Sequence, residues 1–486
     1  MIAWSPGTPL WHVMLLGFPL LTIALFAWLP PRRAALWCTL IVALFLPEGG
    51  YAIQGLPNYS KYSALSAVLL AAIVLDRGRP LQIRPSWIDL PILVWCFVRL
   101  ATSISNGLGI YDGLSASLRI IVTFGLPYWV GRTYFTDSAG MRELARGIVI
   151  GGLLYLPLCL FELRFSPQLH AKLYGFMTVP FYMIMRYGSY RPIIFMDSSL
   201  QVAMWMSAAT VVCWWIAYSG AIKRIAGIPT KWIALALFIV TVLTKARGAL
   251  ALSIVGIGLF FVLRAWRNAL PLAVALGVVA SYPALRGSGL IEGPEIESVA
   301  GVLFDEERVR SLATRLRSED MYIEHSGPRP LLGWGDYGRG DVEVDGVRSI
   351  PDGLWVIALS RSGWISVVSL LALYLLPVLL LVRRISARRW TTAEFAPIAV
   401  LPVLMMLYWV DCLSNAMVTP VLVVAMGAAA GWFAQPRART AEAAPATAAP
   451  KKNHAEEAKP AANPAPSLAR ALIERRRARR ASPPAP

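Results

Sequence analysis

The stretch LWHVMLLGFPLLTIALFAWLPPRR, Leu10 to Arg33, decides the class of the fold. From Leu10 to Leu29 it holds no Asp, Glu, Lys or Arg. About 20 such residues in a helix cross the hydrocarbon core of a bilayer. No basic leader precedes the run, and Pro30-Pro31-Arg32-Arg33 reads as a stop-transfer flank rather than a cleavage site. The rest of the chain repeats this pattern. Its 486 residues are 57% hydrophobic and only 15% charged, with a mean hydropathy of +0.56. A soluble surface needs nearer a quarter of its residues charged, so an ordinary soluble protein is excluded.

Apolar runs between charged or Pro/Gly punctuation predict helices near 10–29, 34–47, 62–75, 88–105, 114–131, 144–161 and 199–219. Others follow near 231–245, 248–263, 269–285, 353–382, 395–411 and 414–433. The expected fold is therefore all-α, a polytopic transmembrane bundle of about 12–13 spans. The pairs 34–47 with 62–75, and 231–245 with 248–263, are short enough to be partly re-entrant. Four regions result: membrane helices over 1–285, a large loop over 286–351, membrane helices over 352–434 and a tail over 435–486. The five cysteines all fall in apolar runs with no CxxC or metal spacing, so neither disulfides nor a cysteine metal site is expected.

The net charge of +18 is unevenly spread. Basic clusters recur at every second connection: Arg32-Arg33; Arg77, Arg79 and Arg84; Arg132, Arg142 and Arg146; Lys223, Arg224 and Lys231; Arg264 and Arg267; Arg383, Arg384, Arg388 and Arg389. The positive-inside rule assigns these to the cytoplasm, which sends 162–198 and 286–351 to the outer side. Trp37, Trp87, Trp129, Trp232, Trp364, Trp390 and Trp432, near span ends, read as interfacial anchors. From Gln435 the composition shifts to Ala, Pro, Glu, Lys and Arg, with 11 basic against 4 acidic residues. Such a tail cannot bury a core and is expected to be disordered and cytoplasmic. Its Ser467–Arg480 segment suits a basic helix on anionic membrane lipid better than nucleic acid, which is not an expected partner.

The loop 286–351 holds 13 acidic and 8 basic residues, and every basic one is arginine. Arginine grips phosphate with two parallel hydrogen bonds where lysine offers a point charge; arginines paired internally to the acids are the plainer alternative. Arg308, Arg310, Arg315 and Arg317 are spaced to share a helix face. Lys245 and Arg247 interrupt an apolar stretch at an outer span end, against the positive-inside trend; snorkelling to headgroups is their alternative. Arg191 sits just before the run that begins near Leu200, where an ion pair with Asp197 is its plainer alternative. Asp352 precedes the next span and suits either a helix cap or a general base. His325 is the other proton acceptor in the loop.

Several of these segments fall into a recognisable order. Arg329-Pro330-Leu331-Leu332-Gly333-Trp334-Gly335 resembles the "hPllGvG" signature of the O-antigen ligase and polymerase family of polytopic membrane glycosyltransferases. Asp352-Gly353-Leu354-Trp355 followed by Arg361-Ser362-Gly363-Trp364-Ile365 resembles the family's run into the following span. Lys245-Ala246-Arg247-Gly248 is similar to its "S-R-G" motif, and Arg191-Pro192 to its arginine ahead of a long span. Arg315 stands where the family carries an outer-loop arginine. The likeness covers roughly Ser189 to Val382.

The resemblance implies glycan transfer from an undecaprenyl-diphosphate carrier at the periplasmic face of the bacterial inner membrane, without metal or other cofactor. For such a reaction the residues suggest a diphosphate clamp of Arg191, Arg247 and Arg315, with Arg317 supporting and Lys245 as a further substrate-binding residue; polysaccharide export machinery is a further expected partner. Ligases of the family carry a histidine where this chain has Asp352, and polymerases often carry an acid there. The expectation is thus polymerisation of exopolysaccharide or O-antigen repeat units, with Asp352 as base and His325 as a second candidate. A ligase acting on lipid A-core or another acceptor is the alternative within the family. A non-catalytic flippase or export subunit is the alternative outside it.

Overall fold

The computed structural model describes residues 2–3, 7–53, 57–76, 78–186, 188–303, 306–344, 347–349 and 351–435. The expected tail, including its basic lipid-facing segment, lies outside these apart from Gln435. Among the described residues nine helices are long and apolar enough to cross a membrane. They are Pro9–Trp28, Trp87–Ser105, Ile110–Tyr134, Ser138–Phe165, Ser199–Ser219, Arg247–Trp266, Leu270–Gly287, Leu354–Arg384 and Ala396–Ser414. Lys61–Leu75, Thr230–Leu243 and Pro420–Ala434 are apolar but shorter. This set marks a multi-pass membrane protein. The expected span at 34–47 is a 14-residue helix, Pro31–Leu44. At 1.5 Å per residue it covers about 21 Å, well short of a ~30 Å hydrocarbon core.

Ser199–Ser219 and Ala396–Ser414 form the centre of the bundle, each 89% buried over its apolar window, whereas Leu270–Gly287 is 17% buried and lies at the edge. The sequence explains this, because the two central helices are apolar on every face and find protein neighbours all round. Among the described residues, strands are confined to short pairings. Ile2–Ala3, Gly50–Ala52 and Tyr59–Ser60 form a three-stranded patch, and the other pairs are two-residue hairpins.

The stretch 286–351, read above as a loop, carries two helices, Gly293–Leu303 and Glu306–Ser326. What holds it down is a fault in the neighbouring span. Leu354–Arg384 is two helices end to end, because the backbone leaves helical geometry at Ser362 and Gly363 (φ 66°, ψ −169°). The break frees backbone groups that lipid cannot satisfy, and the Pro330–Gly335 segment satisfies them. Trp334 and Gly335 N–H groups donate to the Ser360 and Arg361 carbonyls, both at 2.9 Å. Trp364 N–H donates to the Pro330 carbonyl at 2.8 Å, and Ile365 N–H to that of Leu331 at 3.4 Å. The two motifs that carry the resemblance thus pair with each other. The contact is too close for side chains: a Cβ on Gly333 would lie 2.6 Å from the Ser360 carbonyl oxygen, and one on Gly363 would collide with the Leu331 carbonyl.

Buried charge reinforces the clasp. Asp336, immediately after the motif, is met by Arg99 at 3.2 Å, by Arg119 and, at 3.9 Å, by Arg361. Arg99 is itself buried against the Trp95 ring, 4.2 Å from its centroid. Arg329 lies over Trp334 and bonds the Asn106 side chain. This motif arginine therefore serves the clasp.

On the segment after Phe165, buried His170 donates through Nδ1 to the Phe176 carbonyl at 2.8 Å and accepts the Glu48 N–H at Nε2, 3.4 Å away. Burial pushes its pKa down to about 4 from 6.5. The unfolded chain therefore takes up a proton below about 6.5 that the folded ring refuses until about 4, so stability falls as pH drops through that window. A melting temperature lower at pH 5 than at pH 7, with the slope reduced in His170→Gln, is the expected result in detergent. Gly363→Ala should destabilise by at least ~1–3 kcal/mol, because φ/ψ at this position is open essentially to glycine alone. Thermal melting of the purified variant checks it.

Candidate functional site

The start of Ser199–Ser219, the start of Arg247–Trp266 and the end of Ala396–Ser414 meet at one end of the bundle. The helix Glu306–Ser326 closes over them. Between them lies a cavity of about 430 Å³ lined by Lys245, Arg247, Arg315 and Asp411, with Leu200, Met204 and Leu252 on its apolar side. A smaller cavity of about 200 Å³ adjoins it, sharing Leu312, Arg315 and Ser414 and adding Glu319 and Asp352. Arg315 stands in the wall common to both.

Local chain geometry delivers the cations. Lys245 adopts a left-handed φ of 58°, which reverses the chain between Thr230–Leu243 and Arg247–Trp266. A non-glycine residue held there costs on the order of 1–3 kcal/mol, and such strain clusters at functional sites. The Lys245 ammonium donates to the Ser189 hydroxyl. Arg247 opens the following helix, whose N-cap is Ala246 and supplies no side-chain hydrogen bond. The first-turn N–H groups of that helix, and its partial positive charge, thus face the cavity together with the arginine.

Glu306–Ser326 is amphipathic, burying Ala313, Leu316, Glu319 and Tyr322. Arg286, at the end of Leu270–Gly287, bonds Glu319 at 2.8 Å and Asp320 at 2.5 Å, and the Tyr282 hydroxyl donates to Glu319 at 3.0 Å. Burial pushes the Glu319 carboxyl up, and Arg286 pulls it back. At its far end Tyr322 donates to the Ser349 carbonyl at 2.8 Å. So fixed, the helix turns Arg315 toward the cavities. Arg310 and Arg317 are exposed on another side, since positions 315 and 317 differ by about 200° around a helix. Arg310 and Arg317, seven residues apart, thus share a face with each other and not with Arg315; Arg317 lies away from the site, and the Arg308 side chain is outside the described residues.

Asp352 pairs with Arg315 at 3.4 Å and is half exposed. The helix after it is capped by Gly353 with no side-chain bond, so Asp352 does not serve as the cap. Asp411, which sequence reasoning passed over, is 7% exposed. One of its oxygens accepts from Asn415 Nδ2 at 2.9 Å, and the other has no hydrogen-bond partner among the described residues. The signal was present: a carboxylate near the end of an otherwise apolar span is rare and marks function.

Arg191 and His325 stand apart from the cavity wall. Arg191 is buried two residues beyond Ser189, the lysine's partner, which sets its backbone about 7 Å along the chain from that contact. His325 stacks on Trp334, centroids 5.0 Å apart, ten residues or about 15 Å along the helix from Arg315.

Compared with protein-family models and with curated proteins, the sequence matches none. The geometry itself yields a prediction. Arg286→Met would strand Glu319 as a buried carboxylate without its cation, a loss of roughly 3–5 kcal/mol. Limited proteolysis of membranes should then cut 288–351 severalfold faster, while Arg310→Met, on the exposed side, leaves the rate unchanged.

Proposed function

We propose that this chain is an inner-membrane glycosyltransferase that takes glycan from an undecaprenyl-diphosphate donor at the periplasmic face and polymerises exopolysaccharide or O-antigen repeat units. One observation carries the reading. Lys245, Arg247 and Arg315 line a single cavity with an uncapped helix N-terminus, and carboxylates stand beside them. Donor phosphates and acceptor hydroxyls need these two kinds of group within reach of each other.

Transfer forms a bond from an acceptor hydroxyl oxygen to the anomeric carbon and breaks the bond from that carbon to the diphosphate. The diphosphate departs with the electron pair, and the hydroxyl proton passes to a carboxylate. Fixed cations and helix N–H groups aimed at the leaving oxygens stabilise that developing charge, more so where water is scarce. Asp352 is the base in this reading. Arg315 holds it until donor phosphates compete for the guanidinium, which leaves the carboxylate available only when donor is bound. Asp411, deeper in the wall, positions Arg315 or the acceptor. The outward sidedness rests on the basic connections at the opposite end.

Arg247→Lys and Arg315→Lys keep the charge but lose the fork, and each should lower glycan transfer about 100-fold or more while the protein inserts at normal levels. Undiminished transfer in both would overturn the clamp. Asp352→Asn should abolish product, whereas Asp411→Asn should raise KM more than it lowers kcat. A strain lacking the protein should accumulate single repeat units on lipid; full-length chains stranded on the carrier would indicate a ligase instead.

A further inference from the structure

A further cavity, larger than the two above, lies at the other end of the bundle. Ser199–Ser219 begins at the cavity described above and, about 31 Å later, ends beside this one. The cavity measures about 870 Å³, and its polar rim carries Arg33, Arg142, Arg146 and Arg224 against Glu143 and Glu394. The acids do not neutralise it. Glu143 is engaged by Arg33 at 3.6 Å, and Glu394 by Arg389, which stands outside the cavity lining, at 3.8 Å. Among the described residues, neither Arg146 nor Arg224 has an acidic partner. The inner wall is apolar, formed by Trp37, Leu40 and Ile150 from helices in the bilayer.

From this we infer that the cavity is a binding site for an anionic phospholipid. The headgroup phosphate is held by Arg142, Arg146 and Arg224, and the acyl chains lie along Trp37, Leu40 and Ile150. A basic rim above an apolar wall matches a molecule with one anionic and one hydrocarbon end, and basic pockets between spans at the cytoplasmic surface suit such headgroups. A free phosphate would use only the rim. Bound lipid would bridge the starts of Pro31–Leu44 and Ser138–Phe165 to the end of Ser199–Ser219, and so brace the central helix that reaches the opposite cavity. This inference is independent of the glycosyl-transfer reading.

The test uses the full-length protein in detergent, titrated with phosphatidylglycerol, phosphatidylcholine or inorganic phosphate, reading melting temperature and lipid retained in native mass spectrometry. Phosphatidylglycerol should raise the melting temperature, and phosphatidylcholine and phosphate should not. Arg146→Gln with Arg224→Gln should weaken retention about 30-fold, at roughly fivefold for each arginine near the membrane surface. Both side chains are exposed, so folding should survive, and unliganded melting confirms it. Arg267→Gln, at the same end but off the cavity, should retain lipid as the wild type does. Equal retention by the double variant and wild type would overturn the site. A response to inorganic phosphate equal to that to phosphatidylglycerol would overturn its assignment to lipid.

Discussion

A membrane-spanning helix cannot be broken in lipid without a replacement partner for each freed N–H and C=O, because an unsatisfied group there costs several kcal/mol. The break at Ser362–Gly363 is therefore the constraint on which the rest depends. Its freed groups are met by the backbone of Pro330–Gly335, so a segment outside the bundle becomes part of a membrane helix's hydrogen bonding. Asp336, held among Arg99, Arg119 and Arg361, extends the attachment to two further helices. From this anchor the chain runs back through Glu306–Ser326, which Arg286 ties to the end of Leu270–Gly287. Arg315 thus reaches the cavity on a helix held just beyond it, by Arg286 at Glu319 and by the clasp that follows.

The two ends of the bundle use positive charge differently. In the cavity proposed to face outward, the three cations are each constrained: Lys245 by a strained backbone, Arg247 by the start of a helix, Arg315 by the docked helix. Preorganised groups of this kind suit a site where charge appears during reaction, since little reorganisation is needed when it does. At the opposite end, the cavity rim carries four arginines, of which the exposed Arg146 and Arg224 have no acidic partner among the described residues. Such a rim suits a ligand that remains bound.

Part of the site was legible in order and composition. The all-arginine loop, the misplaced Lys245 and Arg247, and the Pro330–Gly335 motif all pointed to the outer segment. Their roles were less legible. Arg329 and the glycines of the motif serve the clasp, and His325 is stacked on the Trp334 ring beside it. Asp352, which could have been a helix cap, pairs with Arg315 instead. Asp411 passed unnoticed inside an apolar run, because a one-dimensional hydropathy reading averages a single carboxylate away.

The sequence by itself determined that the chain is a helical membrane protein, roughly where its helices lie and which connections carry the excess positive charge. Those properties follow from local hydrophobicity and charge, which each segment carries wherever it is placed. Only the tertiary structure decided that Lys245, Arg247, Arg315 and Asp411 share one cavity while Arg317 and His325 do not. Convergence of residues as far apart in sequence as Lys245 and Asp411 depends on how helices cross and rotate. A turn of about 100° per residue is enough to send neighbouring arginines to opposite sides.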